Sequence, residues 1–321
     1  MTRHADPRAL GRDAVPAPEP RGAAPPRPPR YRLWVMSDLV VDRHPLTLPD
    51  PLPDFDALVV AGDVSDDLRA SVAWLAQSLD GRQGSRPVVM VPGNREFWGG
   101  RDGDGDIAGI LARGRELASR AGIALLSDDG LRVDDGRGTG LYLLGATLWT
   151  DWALHGSRRA TLARGHARHH LGDCRRIRRA GALPYLPHDA GGAHARSRAF
   201  IEDALGSVVA QATGFRPSPV ALVQDARPGD RAVVVTHHAP SARTLPPEVL
   251  PELADEWVGA SLASDLEGLM SGWGAPTLWI HGSVPGPVDV TVGPTRIVAN
   301  PRISGWECGR APFDPTFIVE V

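Results

Sequence analysis

Short apolar runs that each end in a polar turn set the pattern of this chain. They span residues 33–36, 57–61, 88–91, 232–235 and 278–280. Runs of this length closed by turn residues predict buried strands of an α/β sheet. The turns that follow read Ser37-Asp38-Leu39-Val40, Gly62-Asp63-Val64, Gly93-Asn94-Arg95-Glu96, Thr236-His237-His238-Ala239-Pro240 and His281-Gly282-Ser283-Val284-Pro285. Polar residues at the carboxyl ends of such strands meet in one crevice, where open α/β sheets place their chemistry.

Between these runs the period lengthens to that of a helix. Leu68, Val72, Leu75 and Leu79 share one face of a helix predicted over 68–79. A second helix is predicted over 107–121, stopped by Gly122, and others over 197–212 and 261–270. Residues 141–144 read as a strand, and 288–292, 295–298 and 316–321 as a second, largely antiparallel set. Residues 136–140, 184–192 and 217–219 are loop punctuation rich in Gly and Pro. No internal repeat is visible.

Taken in order, the five turns resemble the metal-binding motifs of the calcineurin-like metallophosphoesterases. Those enzymes carry D-x-H, G-D, G-N-H, a lone H and G-H-x-H. Here Asp38, Gly62-Asp63, Gly93-Asn94 and His237 match, whereas Val40, Arg95, Ser283 and Pro285 stand in histidine positions. Flanking stretches resemble the bacterial branch: Val91-Pro92-Gly93-Asn94, Gly145-Ala146-Thr147-Leu148-Trp149-Thr150-Asp151, His237 to Ser241, Ala263-Ser264-Asp265-Leu266-Glu267 and Asn300-Pro301-Arg302. The resemblance runs from about Arg32 to Val321. It implies a four-layer α/β/β/α sandwich with two mixed β-sheets.

The resemblance also implies two divalent ions that bind phosphoryl oxygens and lower the pKa of a water. Carried onto this chain, one ion falls to Asp38, Asp63 and the residues at Val40 and Pro285. The other falls to Asp63, Asn94, His237 and the residue at Ser283. Valine and proline offer no side-chain donor, so the Asp38 half-site is expected to be empty. The expectation is at most one divalent ion (Mn, Zn or Fe), or none, in the Asp63/Asn94/His237 half. Asp63, His237 and Arg95 are the candidate catalytic residues, and Asp38, Asp63, Asn94 and His237 the candidate metal ligands.

Arg95 replaces the histidine that sits over the phosphate in the resembled enzymes. A guanidinium stays charged and cannot act as a general acid, but its planar fork can clamp a phosphate. A second expectation is that it neutralises Asp38 and Asp63 in place of the lost cation; uncompensated buried carboxylates cost roughly 3–5 kcal/mol. A third is that it faces solvent.

Each retained residue also has a plain structural reading. Asp38 and Asp63 suit helix N-caps or turns, Asn94 suits a tight turn, and His237 and His238 suit a hydrogen-bonded core pair. His166, His169 and His170 read as part of a solvated basic helix. His44 is expected to be carried away from the crevice, and His281 to pack rather than ligate. Cys174 and Cys308 read as buried hydrophobes.

Composition narrows the setting. The 321 residues suit a single domain over 31–321, with a Pro/Arg/Ala-rich tail over 1–30 that has too little to bury and is expected to be disordered. A net charge of −3 gives no electrostatic case for a nucleic-acid or membrane partner. All 35 basic residues counted as Lys or Arg are arginine, a trait of coding composition. Two cysteines exclude a disulfide framework and suit a reducing, cytoplasmic setting. The functional expectation is therefore a phosphoesterase-like scaffold with an impaired site, serving to bind or regulate through a small phosphorylated or anionic ligand. Two alternatives stand beside it: a single-metal hydrolase on Asp63, Asn94 and His237, and a metal-free enzyme in which Arg95 clamps an anion.

Overall fold

The computed structural model describes residues 30–99, 105–134, 138–249, 255–302 and 312–321. The tail over 1–29, Cys308 and part of the loop over 136–140 lie outside the described residues. Two large mixed sheets carry the chain. The first contains β1 (Arg32–Met36), β2 (Ala57–Val60), β3 (Val88–Met90) and β4 (Ile123–Leu125), all parallel. The second contains β5 (Asp129–Val133), β6 (Leu141–Ala146), β9 (Arg231–Thr236), β10 (Leu278–His281), β11 (Val288–Val292) and β12 (Thr295–Ala299). Its inner strands β6, β9, β10 and β12 run parallel, with β5 and β11 antiparallel at the edges. A two-stranded ribbon pairs β7 (Arg178–Arg179) with β8 (Leu183–Pro184).

Strand alternation decides how the layers stack, because successive side chains leave a strand on opposite faces. Leu33, Val35, Val59 and Val89 of the first sheet share one core cluster with Leu143, Val233, Val235 and Ile280 of the second. The intervening Trp34, Met36, Leu58 and Met90 join a separate cluster with Leu68, Val72 and Leu75 of α1 (Leu68–Leu79) and Ile110 of α2 (Ile107–Arg120). On the outer face of the second sheet, Leu144, Val234 and Trp279 pack against Ile201, Leu205 and Val208 of α5 (Pro187–Ala212). The two sheets thus face each other, with helices on the outer side of each.

The expected helices form where they are capped. Asp67 Oδ1 accepts the Ala70 N–H at 2.9 Å to start α1, and Asp106 Oδ1 accepts the Gly109 N–H at 3.0 Å to start α2. Gly122, at φ 69°, follows the end of α2. The basic helix is α3 (Ser157–His170), with His166, His169 and His170 exposed, and the short α4 (Gly172–Arg176) follows it.

Three expectations are corrected. α5 begins ten residues before the expected start, inside the stretch read as loop. Pro187 occupies its first turn and Asp189 Oδ2 accepts the Leu186 N–H at 2.8 Å, so proline and an acid at a helix start outweigh the two glycines that follow. The helix expected over 261–270 is two, α6 (Glu256–Leu262) and α7 (Glu267–Ser271). Between them Ala263 bridges Ala239, and Ser264 Oγ accepts the Asp151 N–H at 3.0 Å. The C-terminal strands do not form a set of their own: β11 and β12 extend the second sheet, while β13 (Ile318–Glu320) pairs antiparallel with β1 in the first.

Candidate metal centre

The turns after β1, β2, β3 and β10 line a cleft of about 390 Å³, and His237 of the turn after β9 lies buried against Asp63. Ligand atoms of Asp38, Asp63 and His237 lie within 4.8 Å of one another, and all three residues are buried. Asp38 thus lies in one donor group with Asp63 and His237.

Close backbone approach makes the convergence possible. A Cβ on Gly93 would stand 2.2 Å from Asp63 Oδ1, and one on Gly62 would stand 2.5 Å from His237 Nδ1. Asp38, Val40, Asp63 and Ser283 all have left-handed backbones, with φ of 53°, 47°, 58° and 55°. For the β-branched Val40 that conformation is strained.

Hydrogen bonds then aim each donor. The backbone N–H of Arg95 donates to Asp63 Oδ1 at 3.0 Å, and that of Ser283 to Asp38 Oδ2 at 3.1 Å. Arg95 and Ser283 thus hold the carboxylates through the main chain rather than through their side chains. His237 Nδ1 donates to the Ala61 carbonyl at 2.8 Å, turning Nε2 toward Asn94 Oδ1 at 3.0 Å and Asp63 Oδ1 at 3.4 Å. Asn94 Nδ2 donates to Asp173 Oδ1 at 2.9 Å, which aims the amide oxygen at His237. His237 and His238 are not the expected hydrogen-bonded pair: their rings meet edge-on at 5.1 Å, and His238 Nδ1 donates to Thr147 O.

Charge balances within the group. Burial pushes the Asp38 carboxyl up to about 7, Asp63 adding to the rise and His237 opposing it. Burial acts on Asp63 in the same direction, yet the His237 charge and the Arg95 N–H hold it below the ordinary carboxylate range. Burial alone would depress His237, but Asp63 and Asp38 lift it to about 10. Carboxylate oxygens with one imidazole nitrogen form a donor set that could hold a divalent metal ion, and the Ala61 bond sets the tautomer that leaves Nε2 toward it. Val40 and Pro285 line the same cleft with no donor to add.

Arg95 does not pair with Asp38 or Asp63 through its side chain, as the cation-replacement expectation required. Its guanidinium lies 2.5 Å from Asp66 Oδ1 and over the Trp98 ring, 4.6 Å from the centroid. Nor does it face solvent, its side chain being 14% exposed. His44, expected to be carried away, returns to the cleft wall because Arg43 and His44 both donate backbone N–H groups to Val40 O. It stays outside the donor group. His281 is fully buried beside Gly282 O and packs as expected.

Two working residues escaped the sequence reading. Glu96 is fully buried and accepts N–H groups from Asp63, Val64 and Gly93 at 2.9, 2.7 and 2.7 Å, and the Ser71 hydroxyl at 3.0 Å. It ties the β2 and β3 turns together, and its carboxyl is raised to about 7 by burial and the nearby Asp63. Its place directly after Asn94-Arg95 was the available signal. Asp173, which turns Asn94 and accepts Trp98 Nε1–H at 2.7 Å, lies outside every motif and gave none.

No protein-family model matches the chain, and no curated protein matches it. Among solved structures, the phosphopantetheinyl hydrolase of Mycobacterium tuberculosis superposes with a TM-score of 0.55 at 17% identity, over 84% of this chain and 88% of that one. A putative 5′-nucleotidase from Staphylococcus aureus gives 0.42 at 11% identity, over 84% and 48%. A dimetal phosphatase from Danio rerio gives 0.41 at 11%, over 84% and 86%. The first of these shares the architecture of this chain. On that architecture and the order of its strand-end turns, the chain has the fold of the calcineurin-like metallophosphoesterases.

Proposed function

We propose that the cleft holds one divalent ion on Asp38, Asp63, Asn94 and His237 and binds a small phosphorylated ligand against it, hydrolysing the phosphoester slowly. The observation that carries this reading is the convergence of Asp38, Asp63 and His237 donors within 4.8 Å, with the Asn94 amide oxygen turned to the same point. An ion bound there supplies Lewis acidity, drawing charge from a phosphoryl oxygen and acidifying a water.

The chain's own groups do the rest. Ser283 and Arg95 hold the two carboxylates through backbone N–H groups, and Asp173 holds the Asn94 amide in its donor orientation. Arg95 lines the cleft and can grip a phosphoryl oxygen, but it cannot protonate a leaving group at neutral pH. Lacking a second ion and a general acid, the site forfeits several kcal/mol of transition-state stabilisation, on the order of 10³-fold in rate. A buried free Cys174 suits a reducing, cytoplasmic setting.

Elemental analysis of purified protein after incubation with manganese, zinc or iron tests the reading. One equivalent per chain is expected, and Asp63→Ala should abolish it. Two equivalents, or none, would overturn it. With one equivalent bound, p-nitrophenyl phosphate should turn over far below the usual range of about 1–10³ per second.

A further inference from the structure

Three guanidinium groups share the Asp66 carboxylate beside the cleft; Arg43 and Arg95 line it, and Arg176 lies over Trp98 of its wall. Arg43 Nη2 donates to Asp66 Oδ2 at 2.7 Å, Arg176 Nη1 reaches the same oxygen at 3.3 Å, and Arg95 Nη2 lies beside Oδ1. Asp42, 3.6 Å from Arg43 Nε, adds a second negative charge. Three positive charges therefore face two negative ones. Trp98 braces the group, with Arg95 and Arg176 at 4.6 and 4.3 Å from its ring centroid. The indole N–H is committed to Asp173, so the ring cannot swing away without breaking that bond.

Arg95 points to a ligand. Its Nε is buried with no hydrogen-bond partner, while Nη2 is held in an ion pair 2.5 Å from Asp66 Oδ1. A buried N–H donor left without an acceptor is costly, and here it sits on a residue that lines the cleft beside Asn94. Arg43 lines the same cleft. A volume of about 390 Å³ falls within the range of small-molecule sites, roughly 300–1,000 Å³, and exceeds what one phosphoryl group fills.

We propose that Arg43, Arg95 and Arg176 form a second anion subsite, so that the ligand is a phosphoester carrying a second phosphate group. The inference rests on the phosphoester reading of the cleft and specifies its substrate class. The reacting phosphoryl group lies toward Asp38, Asp63 and His237, and the second phosphate lies on the arginine forks, which pair with phosphate oxygens two at a time. Asp66 holds the forks in place before the ligand arrives. Arg95, on the turn that also carries Asn94, touches both ends.

Calorimetric titration of the EDTA-treated full chain with inorganic pyrophosphate and with inorganic phosphate tests the subsite without any metal. Pyrophosphate should bind more tightly than phosphate. Arg43→Gln and Arg176→Gln should each weaken pyrophosphate about tenfold while the melting temperature stays close to that of the wild type. Both arginines are half-exposed, so the variants are expected to fold. No pyrophosphate binding by the wild type, or unchanged affinity in both variants, would overturn the proposal. Metal content is measured on the same samples before EDTA treatment. Absent metal with intact pyrophosphate binding fails the ion site and leaves the arginine subsite standing, while the converse fails the subsite alone.

Discussion

The two halves of the cleft differ in the side-chain donors they present. On the side of β2, β3 and β9, side chain and backbone are both in place: Asp63, Asn94 and His237 aim donors at one point, and Glu96 pins the turns behind them. On the side of β1 and β10 only Asp38 retains a donor. Yet the backbone there is as specialised, with Val40 and Ser283 in left-handed conformations and the Ser283 N–H on the Asp38 carboxylate. Positioning carboxylates is main-chain work there, and it needs no donor from the side chains at positions 40 and 283.

If that comparison is right, side-chain donors alone separate this cleft from a two-ion one. Val40→His, Ser283→His and Pro285→His combined should raise bound manganese from one to two equivalents, read by elemental analysis. Turnover of p-nitrophenyl phosphate should rise by up to about 10³-fold. A triple variant that still binds one ion would show that the β1 and β10 side has lost its geometry too.

The intact half depends on a buried acid that touches no ligand position. Glu96→Ala leaves three backbone N–H groups unpaired, and should lower stability by about 3–5 kcal/mol in urea denaturation. A loss under about 1 kcal/mol would mean that the β2 and β3 turns hold themselves.

Titration sharpens the contrast from another direction. The His237 pKa is raised to about 10, so its stabilisation is fully present below the unfolded value of about 6.5. It should be lost as pH climbs through the folded value. Asp38, raised to about 7, acts below that range: its contribution falls away between the unfolded carboxylate value of about 3.9 and pH 7. EDTA-treated protein should therefore melt at progressively lower temperature from pH 7 to pH 10. His237→Gln should flatten that decline, and bound manganese should do the same, because a ligating imidazole carries no extra proton.

Smaller effects separate strain from function in the depleted half. Val40→Asn should stabilise by about 1 kcal/mol, since asparagine tolerates a left-handed backbone better than a β-branched residue. Arg95→Ala should cost no more than about 1 kcal/mol, with little difference between pH 5 and pH 7.5, because the guanidinium meets Asp66 rather than the buried aspartates. A loss of several kcal/mol at pH 7.5 that shrinks at pH 5 would restore the cation-replacement idea.

Much of this architecture is legible from local pattern. The apolar runs before Asp38, Asp63, Asn94, His237 and Gly282 all became strands, because a buried parallel strand needs an unbroken hydrophobic stretch and a turn to end it. The helix over 68–79 was legible from its spacing and its Asp67 cap. The break between α6 and α7 was not, because it depends on Ala263 meeting Ala239 across the fold. The placement of β13 depends likewise on pairing with a strand almost 300 residues away.

For the site, the sequence by itself determined which residue types stand at the strand ends, and hence that valine and proline leave two donor positions empty. Only the tertiary structure decided that Asp38 belongs with Asp63 and His237, that Arg95 turns to Asp66, and that Glu96 and Asp173 hold the turns and the Asn94 amide. The reason is physical. A side chain's chemistry is local to its residue, but its direction is set by hydrogen-bond partners that folding brings from distant strands, and a long arginine can reach several carboxylates from one Cα.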